Sequence, residues 1–190
     1  AVQSNDRKYV WNLEAFSNLD PKSNSQFLGL FEPSHLKFEV DRSKDSAGEP
    51  SLAEMTAFAI NRLSFDPNKD FFLLVEAGRI DHGHHAGNAY RALTDTVAFS
   101  DAIKVAKSLV DINETLMIVT ADHSHTMTIS GYPSRGNPIL GLVDTMKDAT
   151  SKPYTTISYA NGPGYQRSIP DLSKIDVKDI NYRQLATVPM

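Results

Sequence analysis

Two short, continuous apolar runs constrain the fold of this chain more than any other feature. Residues 71–75 read FFLLV and residues 115–120 read TLMIVT. Apolar runs of this length, bounded by turn residues, are typical of strands buried on both faces of a parallel sheet. Apolar positions between residues 88 and 110 repeat at helical spacing, so the sequence predicts a strand, a crossover helix and a second, parallel strand. The predicted fold class is therefore α/β, with a mostly parallel sheet flanked by helices.

Local signals predict three further elements. A capping box that joins Ser51 to Glu54 begins a helix, which is expected to end near Ser64. Shorter strands are expected at residues 36–40 and 154–159, where apolar and β-branched residues cluster between turns.

The character of the chain changes after Met127, where Gly, Pro and Asn become frequent. Residues 1–127 are therefore interpreted as part of the α/β domain, and residues 128–190 as a loop-rich surface region. We see no linker or repeat that would cut out a separate, independent domain.

Composition narrows the class of protein. With 190 residues, 41% of them hydrophobic, the chain is long enough for one sizeable core, and its net charge of −4 gives no reason to expect a nucleic-acid partner. No run approaches the roughly 20 apolar residues of a membrane span. The chain opens on AVQS without an initiator Met or a leader, so we expect a segment of a longer protein. Asn113 begins a glycosylation sequon, which matters only in a secreted protein.

Histidines are concentrated where the two apolar runs end. Five of the six lie in two short bursts, VEAGRIDHGHH at residues 75–85 and VTADHSH at residues 119–125. The carboxyl ends of parallel strands share one edge of a sheet, so the two bursts are expected to meet in one crevice. Because the chain has no cysteine, any metal must take oxygen and nitrogen donors. Imidazoles beside carboxylates predict zinc, and oxygen-rich neighbours suit magnesium.

Each candidate residue also has a simpler interpretation. Asp81 and His85 are spaced to chelate one ion from a helix face, but an isolated pair of this kind is more often a polar surface turn. Asp122 and His123 could be a helix cap with a neighbouring histidine, and Glu76 could pair with Arg79. Two such clusters at adjacent strand ends favour the metal site.

Three other positions are interpreted more plainly. His125 is expected to orient a ligating carboxylate rather than to bind metal. His35 is interpreted as a surface histidine. Residues 45–47 (DSA) could suggest a nucleophilic serine, but no strand precedes them and we interpret them as a loop.

The two histidine motifs resemble those of the alkaline phosphatases, and most closely the animal-type branch. The resemblance extends along essentially the whole chain. Further segments that carry it are YVWN (9–12), GLFEP (29–33), PSLAEMT (50–56), YRALT (90–94), GYP (131–133), NGPGY (161–165) and YRQ (182–184). It implies a doubly wound α/β fold with a surface crown from about residue 128.

The resemblance also implies roles for individual residues. Asp81 and His85 would hold a first zinc, Asp122 and His123 a second zinc, and Glu76 a magnesium ion. His82 would stand near the phosphate pocket without binding metal. A calcium site would take the carbonyl of Phe31 with the carboxylates of Glu32 and Glu49, although the family usually has aspartate at this last position. Tyr132 would lie at the subunit interface of a homodimer.

By the same resemblance, the parent protein hydrolyses phosphate monoesters through a phosphoserine. The nucleophilic serine, the phosphate-binding arginine and the last zinc histidine would lie outside this chain. The expected location is extracellular or at the cell surface, where a lipid anchor could attach the protein to the membrane. In a bacterium the expected location is the periplasm. Two alternatives remain open: a phosphodiesterase or sulfatase of the same superfamily, and a non-catalytic homologue that keeps the ligands without the serine.

Overall fold

The computed structural model describes residues 6–145, 152–160, 172–174, 176, 178–179 and 181–182. It is a mixed α/β structure that divides into two compact units. The first comprises Ala1–Arg79 and Thr94–Val119, and the second comprises Ile80–Leu93 and Thr120–Met190. Within the described part of the chain, no helix is both long enough and apolar enough to cross a membrane.

The first unit contains a parallel strand pair and several helices. Strand β1 (Arg7–Val10) pairs in parallel with β2 (Gln26–Gly29), so that Arg7 faces Gln26 and Val10 faces Gly29. The helices that follow in chain order are α1 (Leu13–Ser17), α2 (Glu39–Arg42) and α3 (Leu52–Leu63). The rings of Phe16 and Phe27 both pack on Phe58 of α3, with centroids 5.4 and 5.1 Å away. This aromatic contact holds α1 and β2 against α3.

Helix α3 confirms the predicted capping box. The Ser51 side chain accepts a hydrogen bond from the Glu54 backbone N–H, and the Glu54 carboxylate accepts one from the Ser51 backbone N–H at 2.7 Å. Because these bonds satisfy two orphan donors of the first turn, the helix begins where the sequence indicates. It ends at Leu63, one residue before the predicted limit.

The second unit is built around an antiparallel strand pair. Helix α4 (Arg79–His85) precedes the long helix α5 (Ala89–Leu109), of which only residues 89–93 belong to this unit and the rest belongs to the first. Helix α5 confirms the helix predicted between residues 88 and 110. Strand β3 (Met127–Ile129) pairs with β4 (Ile157–Tyr159), and a short 3-10 helix spans Leu172–Lys174. The buried core groups Ala89 with Ile157 and Tyr159. The strand predicted at residues 154–159 is confirmed for its last three residues, preceded by an isolated bridge at Thr155.

The two apolar runs do not form the predicted strands. Residues 71–75 and 115–120 have no regular secondary structure, and Phe72 and Leu116 are 86% and 85% exposed. A strand needs a neighbour to pair its backbone groups, and no strand among the described residues pairs with either run. The predicted parallel crossover is therefore wrong for this structure, although the helix between the two runs is present.

The strand predicted at residues 36–40 is also wrong, because the chain turns into α2 at Glu39. The Asp95 carboxylate on α5 accepts a hydrogen bond from the Glu39 backbone N–H at 3.2 Å, at the start of α2. Arg42 then pairs with the Glu39 carboxylate at 2.8 Å across the same turn. A side chain 56 residues away thus caps the helix against the local strand pattern. Residues 45–47 form a loop, as predicted.

Asp95 should make the stability of the metal-free protein depend on pH. Burial raises the pKa of Asp95 to about 6, although the Glu39 hydrogen bond and Arg79 oppose the shift. The ordinary pKa of an aspartate, which applies to the unfolded chain, is 3.8. As pH rises from 4 to 6 the unfolded state loses its proton first, so this group lowers the free energy of unfolding by about 2 kcal/mol, a loss that persists above pH 6.

Asp95→Asn should therefore raise the unfolding free energy near pH 8, and this gain should vanish near pH 4. Chemical denaturation at both pH values measures the difference. Asp101→Asn is the matched control, because Asp101 is an exposed carboxylate on the same helix, paired with Lys104 at 2.7 Å. An unchanged gain at the two pH values would contradict the assignment to Asp95.

Candidate metal centre

The first histidine burst forms α4, a helix of seven residues. Its helical turn places Asp81 and His85 on one face, with His85 Nε2 3.4 Å from Asp81 Oδ1. Gly83 lies between them and is buried against the start of α5. A Cβ at this position would lie 2.7 Å from the backbone nitrogen of Ala92. The close approach of the two helices therefore requires glycine in the middle of the motif.

The second burst reaches the same carboxylate. His125 Nε2 lies 2.9 Å from Asp81 Oδ1, which is hydrogen-bond distance, and His123 Nε2 lies 3.7 Å from it. The two bursts therefore meet, as predicted. They meet in the second unit through α4 and the irregular segment at residues 122–125, and not at the ends of two paired strands.

The imidazoles control the charge of Asp81. Burial by itself would raise the pKa of Asp81, but the His125 hydrogen bond and the nearby rings of His85 and His123 outweigh it and hold the pKa below 3.8. The carboxylate therefore stays ionised beside these rings and can bind a cation. Asp81, His85 and His125 each place one donor atom within 4.8 Å of the others. One carboxylate and two imidazoles form a donor set that fits zinc.

Asp122 and His123 form a more open pair. Asp122 Oδ2 lies 3.4 Å from His123 Nε2, and the His123 backbone N–H donates to Asp122 Oδ1 at 3.1 Å. The Asp122 side chain is 85% exposed. The His123 side chain is 54% exposed, and its Nε2 faces both Asp122 and Asp81.

The remaining predicted residues lie in different surroundings. Glu76 belongs to the first unit and is exposed. His82 is half-buried on α4, and His35 is exposed, as predicted. Arg79, the alternative partner of Glu76, lies with its guanidinium 3.7 Å from the centre of the Phe38 ring. Tyr132 is 94% exposed and has a positive φ of 47°.

A second group of possible ligands lies in the first unit. Glu32, Asp45 and Glu49 each place one carboxylate oxygen within 4.8 Å of the others. Glu49 is only 1% exposed, and burial raises its pKa even though it accepts a hydrogen bond from the Lys37 backbone N–H at 2.7 Å. Lys37 Nζ pairs with Glu32 at 2.8 Å. Two carboxylate oxygens of this group, Glu49 Oε2 and Asp45 Oδ2, are buried without a hydrogen-bond partner among the described residues. Unpaired buried carboxylates of this kind fit a hard cation such as calcium.

One member of these clusters was missed by sequence reasoning. Asp45 was treated as part of a loop, although it is a carboxylate only four residues before Glu49. Its place beside Glu32 could not be inferred from that spacing, because it depends on how more distant residues pack. His125 was expected to orient a carboxylate, and its ring nitrogen lies 2.9 Å from Asp81 Oδ1.

Comparison with known proteins shows the family to which the chain belongs. The family model for alkaline phosphatase matches residues 1–190, so the chain belongs to the alkaline phosphatase family. The family is one of metal-dependent hydrolases, in agreement with the predicted resemblance and the α/β fold class.

Individual relatives have animal origins. The chain is 46% identical over 185 residues to the tissue-nonspecific isozyme of alkaline phosphatase from Felis catus, and 44% identical over 185 residues to that of Homo sapiens. It is 43% identical to an alkaline phosphatase from Gadus morhua. Each alignment covers 96% of this chain, but only 35% of the two mammalian proteins and 38% of the fish protein. The chain thus spans about a third of the length of these relatives.

Proposed function

We propose that the full-length protein is an alkaline phosphatase that hydrolyses phosphate monoesters to an alcohol and inorganic phosphate. The reaction would proceed through a phosphoserine intermediate whose serine lies outside these 190 residues. The observation that carries the proposal is the Asp81 carboxylate, surrounded by imidazoles from both histidine motifs in a chain of this family. A segment that holds only part of the metal ligands should be inactive on its own.

The proposed metal ligands follow the two motifs. Asp81 and His85 would hold one zinc, and Asp122 and His123 a second zinc. Glu76 would be a magnesium ligand. Bound zinc supplies Lewis-acid stabilisation of negative charge that develops on phosphate and leaving-group oxygens. Within this chain, the task of the ligand side chains is to stay deprotonated and correctly oriented, which the low pKa of Asp81 supports.

Two further histidines, His82 and His125, would assist the metal centre without binding zinc. His125 would hold the Asp81 carboxylate in one orientation through the 2.9 Å hydrogen bond. His82, half-buried on the same helix as Asp81, would stand near the bound phosphate. A neutral imidazole at that place can donate one hydrogen bond to a phosphate oxygen.

We further propose a calcium site in the first unit. Its ligands would be the Phe31 carbonyl with the carboxylates of Glu32 and Glu49, and the geometry adds Asp45 to this set. The buried, unpaired oxygens of Glu49 and Asp45 support the proposal, because a calcium ion would remove the cost of burying them. The Lys37 ammonium already neutralises part of the charge of Glu32.

The proposed assembly is a homodimer with Tyr132 at its interface. The exposure of this large aromatic side chain supports that role. The proposed location is the cell surface or the extracellular space, and any attachment to a membrane would be through a lipid anchor. In a bacterium the proposed location is the periplasm. Asn113, exposed in a turn where its side chain donates to Asp111 at 2.9 Å, would be open to glycosylation.

The full-length protein tests this proposal directly. We expect elemental analysis to find zinc, magnesium and calcium, and we expect hydrolysis of a phosphate monoester in preference to a diester or a sulfate ester. Asp122→Ala should lower both zinc content and monoester turnover, because it removes an anionic donor. Asp101→Ala, which removes an exposed carboxylate on α5, should leave both unchanged.

Three other results would point elsewhere. Faster turnover of the diester or the sulfate ester would favour the other hydrolases of the superfamily. Bound zinc without turnover would favour a non-catalytic homologue. A protein without zinc would remove the basis of the proposal.

A further inference from the structure

One buried tyrosine connects the core of the second unit to its histidines. Tyr159 is the last residue of β4, belongs to the hydrophobic core with Ala89 and Ile157, and is 3% exposed. Its hydroxyl oxygen lies 2.8 Å from His84 Nδ1. Burial raises the pKa of Tyr159 to about 12, so the hydroxyl keeps its proton under alkaline conditions. It can therefore donate to His84 throughout the range in which an alkaline phosphatase works.

His84 in turn contacts a member of the Asp81 cluster. Its ring stacks on the ring of His125, with centroids 4.7 Å apart and planes 28° from parallel. His125 Nε2 in turn lies 2.9 Å from Asp81 Oδ1, and the His125 side chain is only 11% exposed. A continuous path of contacts therefore runs from Tyr159 through His84 and His125 to Asp81.

The other two imidazoles near Asp81 are less restrained by burial than His125. The side chains of His85 and His123 are 68% and 54% exposed, and their ring contacts are with His125 itself, at 5.0 and 5.2 Å between centroids. His123 and His125 lie in a segment without regular secondary structure. Side chains that are half in solvent keep much of their rotamer freedom, and a metal site needs that freedom removed before the ion binds.

We propose that Tyr159 and His84 are positioning residues of the metal centre. The Tyr159 hydroxyl holds the His84 ring in one orientation, and the stacked His84 ring then restricts the ring of His125 and with it the Asp81 carboxylate. This inference rests on the proposed function, because it assumes that Asp81 binds zinc. Loss of a hydrogen bond that orients metal-ligating groups typically lowers metal affinity by about 10- to 100-fold.

Tyr159→Phe in the full-length protein tests the inference, because it removes the hydroxyl and keeps the buried ring. We expect zinc affinity, measured by competition with a chelator, to fall about 10- to 100-fold. Saturating zinc should restore most of the kcat with little change in KM. After replacement of zinc by cobalt(II), the visible spectrum of the variant should differ from that of the wild type, because the ligands are held differently.

A second variant and a matched control separate positioning from packing. His84→Phe keeps a flat ring without the hydrogen bond, so we expect a similar loss of affinity, and the double variant should lose little more than either single one. Tyr154→Phe is the control, since Tyr154 is a buried tyrosine of the same unit that lies beside Gly131. We expect it to keep the zinc affinity and cobalt spectrum of the wild type.

Three results would overturn the inference. One is an unchanged zinc affinity and cobalt spectrum in both Tyr159→Phe and His84→Phe. Another is an equal loss in Tyr154→Phe, which would indicate a general packing effect. A wild-type protein that binds no zinc would overturn the proposed function as well, so the two failures can be told apart by the wild type alone.

Discussion

Asp81→Asn in the full-length protein is expected to lower the kcat/KM of the proposed phosphatase reaction by about 10³-fold and to remove zinc from the protein. The substitution keeps the size of the side chain and removes only its charge. Asp81 Oδ1 lies within 3.7 Å of an imidazole nitrogen on each of His85, His123 and His125, so the carboxylate is the group on which both histidine motifs converge. Kinetics and elemental analysis of the purified variant measure the two losses.

Asp101→Asn serves as the control for this charge change. Asp101 is half exposed and paired with Lys104, so its loss should change kcat/KM less than about twofold. Retention of zinc and of near-normal kcat/KM in Asp81→Asn would show that the cluster around Asp81 is not the catalytic metal centre. A partial result, with zinc retained at one site and activity lost, would still assign Asp81 to catalysis.

Gly83→Ala is expected to have the largest effect on folding. The added methyl group would lie 2.7 Å from the Ala92 backbone nitrogen and 2.9 Å from its Cα. Backbone atoms cannot move aside as a flexible side chain can, so α4 and α5 must separate. We expect a loss of about 3 kcal/mol in the free energy of unfolding, at the upper end of typical overpacking costs. Denaturant unfolding measures this loss.

The same substitution should also weaken zinc binding, because Gly83 stands between Asp81 and His85 on α4. Gly78→Ala is the matched control, since the nearest atoms to its methyl group would be those of the flexible Glu76 side chain, at 3.4 Å or more. We expect it to change the unfolding free energy by less than about 0.5 kcal/mol. Equal stabilities of the two variants would refute the tight contact between α4 and α5.

Some features of this protein could be predicted because short stretches of sequence determine them. The capping box at Ser51 and Glu54 satisfies its own donors within one turn, so it forms wherever the rest of the chain lies. Helix α5 follows from apolar spacing alone. The pairing of Asp81 with His85 follows from the four-residue period of a helix.

The two apolar runs, at residues 71–75 and 115–120, show that local composition alone does not determine whether a strand forms. Their composition indicates buried strands, but a strand is stabilised by a partner, and the described residues provide none for either run. At residues 36–40 the local pattern indicated a strand, and the distant Asp95 carboxylate capped a helix instead. In both cases the outcome depended on atoms far away in the chain.

The sequence by itself determined the family, the two histidine motifs and the donor types that they offer to a metal. Only the tertiary structure decided which of these side chains lie together. Asp45 joins Glu32 and Glu49 through the packing of a loop, and Tyr159 reaches His84 across 75 residues. The physical reason is that ligand chemistry is a property of each side chain, whereas orientation is imposed by burial and hydrogen bonds between segments that are remote in sequence.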